Sequence, residues 1–135
     1  MDQLFRSCAK ALDTHARENN LIERGLEACD IALRDCELSD IKYKTRPLGG
    51  WPRKEIQKHF VEHCFVFKYR GCEHGDYLHI DTLFHLSAPD PDWNPDLGYW
   101  PIGTYRFITL ANGEYEDDIL LFDSEAPTLD EIGNP

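Results

Sequence analysis

The sequence of 135 residues lacks the motifs that mark the commonest catalytic and cofactor-binding sites. It contains no glycine-rich phosphate-binding loop, no Gly-x-Ser-x-Gly elbow and no Cys-x-x-Cys pair. No apolar run is long enough to cross a bilayer, and residues 1–15 hold no apolar stretch of signal-peptide length. We therefore expect a cytoplasmic protein that needs no cofactor and contacts no membrane.

Basic residues are scarce in the last third of the chain, and this scarcity accounts for most of the net charge of −11. Residues 88–135 contain 11 Asp and Glu but a single base, Arg106, which gives them a net charge of −10. Residues 42–58 have the opposite character, because Glu55 is their only acid. Such a bipolar chain is typical of a protein that recognises a charged partner. A plainer explanation is that the two regions pair with each other.

The cysteines are odd in number and irregular in spacing, which argues against a disulfide framework. In a reducing compartment such residues are mostly small apolar fillers, and we expect structural thiols here. They are Cys8, Cys29, Cys36, Cys64 and Cys72.

Apolar residues recur at helical spacing in two N-terminal segments, separated by a break at 18–20. Shorter segments at 41–46, 61–70 and 77–87 alternate between apolar and polar residues, which predicts strands. Asn112-Gly113 predicts a type I′ hairpin turn, and a bulge is expected near 116–118. Residues 51–60 predict a short helix.

The fold class predicted is α+β, with two N-terminal helices packed on a mainly antiparallel sheet of about five strands. We expect one domain over 1–124 and a mobile acidic tail over 125–135. The helical stripes, both expected in the core, are Leu4, Cys8, Ala11, His15 and Ile22, Leu26, Cys29, Leu33, Cys36.

Residues 62–87 contain four histidines, and the predicted strand register decides whether they converge. Matching the apolar faces of the two strands pairs Phe67 with Ile80 and His63 with Phe84. His79 and His85 then lie on the opposite face, roughly 20 Å apart along one strand. We therefore expect no metal site and no stoichiometric zinc. The alternative is a short helix that brings His59 and His63 together with a cysteine to bind zinc.

The sequence also allows two other functions, a small enzyme and a protein that binds nucleic acid or phosphate. His79 and Asp81 share a face, which suits a histidine base in a small hydrolase-type enzyme, and His85 lies farther along the same face. The basic segment suits nucleic acid or phosphate, although the net charge leads us to expect no direct nucleic-acid binding at physiological salt. Its candidate residues are Lys42, Lys44, Arg46, Trp51, Arg53, Lys54 and Lys58.

The segment from 89 to 101 combines acids, aromatics and prolines. Asp90, Asp92, Asn94 and Asp96 alternate like a calcium loop, but prolines stand at 95 and 101, where such a loop needs glycine and glutamate. Stiff loops with exposed aromatics are typical of binding hot spots.

The sequence thus favours a non-enzymatic acidic binding or inhibitor protein that occludes a basic protein surface. An immunity protein against a nuclease toxin is one example of this class. Aromatic residues would supply most of the affinity, and carboxylates would set association rate and partner choice. The predicted partner-binding residues are Asp90, Asp92, Trp93, Asp96, Tyr99, Trp100, Glu114, Glu116, Asp117 and Asp118.

Overall fold

The computed structural model describes residues 2–42, 53–69, 76–89 and 99–122. Two helices come first and a four-stranded antiparallel sheet follows, with the strands side by side in chain order. The predicted α+β layout is confirmed, with four described strands where about five were expected. The elements are α1 (Asp2–Glu18), α2 (Leu21–Lys42), a 3-10 turn (Arg53–Glu55), β1 (Gln57–Tyr69), β2 (Asp76–Pro89), β3 (Tyr99–Leu110) and β4 (Tyr115–Phe122).

The difference in strand number arises at the end of α2. The predicted strand at 41–46 is wrong at its start, because α2 continues through Lys42, and 43–52 lie outside the described residues. Extending an existing helix fixes one residue for each new hydrogen bond, which is easier than starting a strand. The helix predicted over 51–60 is reduced to the turn at Arg53–Glu55, after which β1 begins.

Helix α2 supplies the helical side of the core. Cys29 and Leu33 are buried, whereas Ile22 is partly exposed, so the predicted α2 stripe is confirmed from its second turn onward. Gly25 lies where α2 crosses the sheet: a Cβ added there would stand 2.5 Å from Cε2 of Phe84. This close approach explains a glycine inside a helix, where it normally costs about 1 kcal/mol.

The stripe of α1 is not core, contrary to the prediction. Leu4 is 63% exposed and its neighbour Phe5 is 64% exposed. Cys8 and Ala11 are exposed as well, and Ala16 is the buried residue of this helix. Periodicity identified the helix correctly but did not show what its apolar face packs against.

The cysteines divide in the same way. Cys29 is fully buried, and burial raises the pKa of its thiol to about 12. Cys36 packs against the core. Cys8 and Cys64 are exposed, and for Cys8, which belongs to a stripe expected in the core, the prediction is wrong. Cys72 lies outside the described residues.

The register of β1 and β2 differs from the prediction by two residues. Phe67 pairs with Leu78, and Phe65 pairs with Ile80. His63 follows the same shifted register and pairs with Thr82 rather than Phe84, and a bulge between Phe60 and Glu62 moves the pairing of residues 57–60 by one further residue. A shift of two keeps residues 62–67 on their predicted faces, because side chains alternate with a period of two. Val61, predicted on the apolar face, lies in the bulge and is 42% exposed.

The hairpin between β3 and β4 is confirmed, but its turn is not type I′. Leu110 and Glu114 close a loop of three residues, in which the Gly113 amide donates to the Leu110 carbonyl at 2.9 Å. Gly113 adopts φ 90°, whereas Asn112 has no positive φ and its side chain accepts from the Glu114 amide instead. A type I turn closed by a left-handed glycine is the usual three-residue hairpin loop. The predicted bulge is also confirmed, since Glu116 has no partner residue across the ladder from Ile108 and Thr109.

In the described part of the chain, no helix is both long enough and apolar enough to cross a membrane.

Candidate functional site

Strand β4 forms an edge of the described sheet and exposes both acidic and apolar side chains. Glu114, Glu116 and Asp117 are exposed around the hairpin. Farther along, Ile119 is 38% and Leu121 58% exposed. No described ion pair involves these three carboxylates. Their charge is therefore not neutralised by any described Lys or Arg.

The nearest base along the neighbouring strand faces away from this edge. Arg106 pairs with Ile119 in the ladder, but its guanidinium donates to Asp81 on β2 at 2.8 Å. The sequence contains no Lys or Arg after Arg106. Among the described residues, no base neutralises this edge, and we name the exposed side chains at 114, 116, 117, 119 and 121 the acidic edge.

Asp118 has a different environment from the other predicted acids. Its carboxylate accepts hydrogen bonds from the hydroxyls of Tyr105, at 2.8 Å, and Tyr115, at 2.7 Å. Tyr105 is fully buried beneath α2. Asp118 therefore holds β3 and β4 together on the helix side of the sheet, and we leave it out of the acidic edge.

The other predicted partner-binding residues lie toward the far end of β3. Tyr99 and Trp100 begin that strand opposite Pro89 and Ala88, whereas the hairpin lies beside Thr109. Ten residues of extended chain separate these ends by roughly 30 Å. Asp90, Asp92, Trp93 and Asp96, together with the calcium-like alternation, lie outside the described residues.

The histidines of β1 and β2 lie on two faces of the sheet. His59 and His63 do not share a helix, because both belong to β1, and the bulge puts His63 on the helix side and His59 on the other. The proposed joint zinc site is therefore wrong. His59 instead pairs directly with His85. The sequence reasoning missed this pair because it placed His59 in a helix.

The proposed hydrolase residues share a face, as predicted, but they are not equivalent. His79 is 8% exposed and Asp81 is bound to Arg106, whereas His85 is exposed. Lys68 pairs with Tyr77 in the ladder and not with His79. Of these three side chains, His85 is the one most exposed to solvent.

A hollow of about 420 Å³ lies between the α1–α2 corner and β1. His63 and Phe60 line its floor, and the charged side chains of Asp13, Arg17 and Glu23 line it from the helices. Nδ1 of His63 lies 2.9 Å from Oγ1 of Thr82. Burial lowers the pKa of His63 below its usual value of 6.5, and the nearby Asp13 opposes that shift in part.

The lowered pKa of His63 predicts a loss of stability in mild acid. The unfolded chain takes up this proton more readily than the folded chain, so the contribution is complete above pH 6.5 and declines as the pH falls below it. We expect the free energy of unfolding, measured in urea, to fall between about pH 7.5 and 5.5. In His63→Gln, which keeps a polar group near Thr82 but does not titrate, the fall should be smaller. An equal fall in both proteins would contradict the prediction.

The described end of the basic segment contacts α2. The ammonium of Lys58 is bound to Asp30 on α2. Arg53, Lys54 and Arg34 line a hollow of about 400 Å³ beside that pair. One cation of the segment is therefore neutralised within the chain, by an acid of α2 and not by the acidic C-terminal third.

Comparison with protein-family models, with curated proteins and with solved structures finds no match to this chain. Function must therefore be argued from the residues and their geometry.

Proposed function

We propose that this chain is a non-enzymatic binding protein that covers a basic surface of a partner protein with its acidic edge. The observation that carries the proposal is the acidic edge. Its three carboxylates are exposed and form no ion pair with a described Lys or Arg, and the exposed side chains of Ile119 and Leu121 lie along the same edge. Binding a basic surface would neutralise the carboxylates and cover the apolar side chains together. A nuclease, which must expose a basic groove to bind nucleic acid, is the partner type that this chemistry fits best, and this chain would be its inhibitor or immunity protein.

The size of the surface is compatible with one interface. The acidic edge and the start of β3 span roughly 30 Å. A standard protein interface covers about 800 Å² on each partner, which is a patch of about that diameter. Tyr99 and Trp100 begin β3 and so lie within that distance of the hairpin acids, and we propose that they belong to the same interface.

The test compares two variants with the same change in charge. Glu116→Gln with Asp117→Asn alters the acidic edge, and Glu18→Gln with Glu27→Gln alters exposed acids on the helices. All three proteins are used as bait in lysate of the native host, and captured proteins are quantified by mass spectrometry. We expect a basic protein to be captured by wild type and by the helix variant, and to be depleted with the edge variant.

Surface plasmon resonance on that partner should then separate the roles of charge and aromatic contact. We expect the edge variant to associate about tenfold more slowly at low salt, with a flatter salt dependence. Trp93→Ala should dissociate faster with its salt dependence unchanged. Equal binding by the edge and helix variants would overturn the proposal, as would a catalytic activity that is lost on changing His79 or Asp81.

A further inference from the structure

Two histidines stand directly opposite each other on the face of the sheet that α2 does not cover. His59 on β1 pairs with His85 on β2, and both side chains are exposed. Directly opposite residues of antiparallel strands hold their Cβ atoms about 4.5–5.5 Å apart. Two imidazoles at that spacing can both reach a single ion.

A hydrogen bond fixes one of the two rings. Nε2 of His59 lies 3.1 Å from the hydroxyl oxygen of Ser87, which is the diagonal neighbour of His59 on β2 and is only 3% exposed. When Nε2–H donates to this oxygen, the lone pair of the ring is on Nδ1. Histidines that bind metals usually have their second ring nitrogen held in this way, which sets the tautomer and the orientation of the ring.

We propose that His59 and His85 together bind one divalent transition-metal ion, with Ser87 orienting His59. Metal–nitrogen bonds of about 2 Å place two coordinating nitrogens roughly 3 Å apart, a spacing within reach of side chains whose Cβ atoms are about 5 Å apart. Within the described ranges, no set of three or more His, Cys, Asp or Glu side chains is arranged to hold a metal. Among the described residues, the two imidazoles are thus the ligands of the ion, and in the proposed site water occupies the remaining positions.

The open positions make this a site for exchangeable ligands. His85 also lines a hollow of about 380 Å³, bounded by Thr104 of β3 and by Leu121 and Phe122 of β4. A carboxylate or imidazole entering from that hollow can replace a water on the ion. Imidazole donors favour copper, nickel and zinc over magnesium and calcium, and the Irving–Williams order predicts the tightest binding for Cu²⁺.

The experiment is isothermal titration of the purified apoprotein with Zn²⁺, Ni²⁺, Cu²⁺ and, as a negative control, Mg²⁺. We expect one saturable site for the first three ions and no heat of binding for Mg²⁺. His59→Gln and His85→Gln should each weaken Zn²⁺ binding by at least about tenfold, and Ser87→Ala should weaken it less. His63→Gln, on the opposite face of the same sheet, is the matched control and should bind as wild type does.

A measurement on the unaltered protein guards against effects of the substitutions on folding. Substoichiometric Cu²⁺ should broaden the imidazole NMR signals of His59 and His85 while the signal of His63 stays sharp. The proposal is overturned if Zn²⁺ binds equally well to wild type and to the His59 and His85 variants. It is also overturned if no saturable binding occurs, or if Cu²⁺ broadens other histidines first.

Discussion

Replacing Gly25 with alanine should destabilise the protein, although alanine is the better helix former. Propensity alone would favour the variant by about 1 kcal/mol. The added Cβ, however, would stand 2.5 Å and 2.7 Å from two ring carbons of Phe84. That ring is fully buried and packs against Tyr105 and Phe60, so it has little room to move. Overpacking of this kind costs about 1–3 kcal/mol, and after subtracting the gain in helix propensity we expect a net loss of up to about 2 kcal/mol.

Urea unfolding of Gly25→Ala and of Glu27→Ala, an exposed position on the same helix, measures the effect. Glu27→Ala should leave the free energy of unfolding nearly unchanged. Adding Phe84→Leu to Gly25→Ala replaces the aromatic ring with a smaller side chain and should recover part of the loss. The double variant should therefore be more stable than the sum of the single changes predicts. A Gly25→Ala protein more stable than wild type would show that α2 does not approach β2 at this point.

Replacing Asp118 with alanine should cost about 2–3 kcal/mol, because it removes the acceptor of a buried hydroxyl. Tyr105 is fully buried and donates to Asp118, whereas Tyr115 is 54% exposed and can turn to water. Most of the loss should therefore come from Tyr105. Combining Asp118→Ala with Tyr105→Phe removes the unpaired hydroxyl, so the double variant should lose less than the sum of the two single variants. Strictly additive losses would contradict this account.

The same carboxylate predicts a decline of stability in alkali. Burial, together with the hydrogen bond to Asp118, raises the pKa of Tyr105, and the hydrogen bond to Asp118 raises the pKa of Tyr115 to about 12. Both tyrosines lose their protons more readily in the unfolded chain, near pH 10. Their contribution is complete below that pH and is lost as the pH rises toward 12. Asp118→Ala should show a shallower decline, which urea unfolding between about pH 9 and 11 measures.

The structural role of Asp118 also changes the design of a binding experiment. The sequence places Asp117 and Asp118 together in an acidic run, and nothing in that run separates them. In the structure Asp117 is exposed, whereas Asp118 accepts from two tyrosines. A variant of both would combine weaker binding with a weaker fold. The pair Glu116 and Asp117 tests the acidic edge without that complication.

Local pattern was sufficient for some of this fold. Three features depend only on residues close together in the sequence: the α2 stripe, the alternation in β1 and β2, and the glycine of the hairpin. Helical and extended periods repeat over consecutive residues, so they can be recognised without knowing the fold. For the same reason the predicted faces of His63, His79 and His85 are confirmed. The excess of carboxylates after residue 106 is equally plain in the sequence. These features determined the class of fold and the charge of its last strand.

Distant contacts decided the rest. Alternation allows any even shift between two strands, so only the bulge at Phe60–Glu62 and the chain closing β1 onto β2 could select the pairing of His59 with His85. Likewise, the apolar stripe of a helix does not show which element packs against it. Leu33 and Leu4 belong to similar stripes, yet Leu33 is buried in the core and Leu4 is exposed. Gly25 meets Phe84 and Asp118 meets Tyr105 only after the chain has folded. The sequence by itself determined which elements form and where the charge lies, and tertiary packing decided which side chains meet, because those encounters depend on residues far apart in the chain.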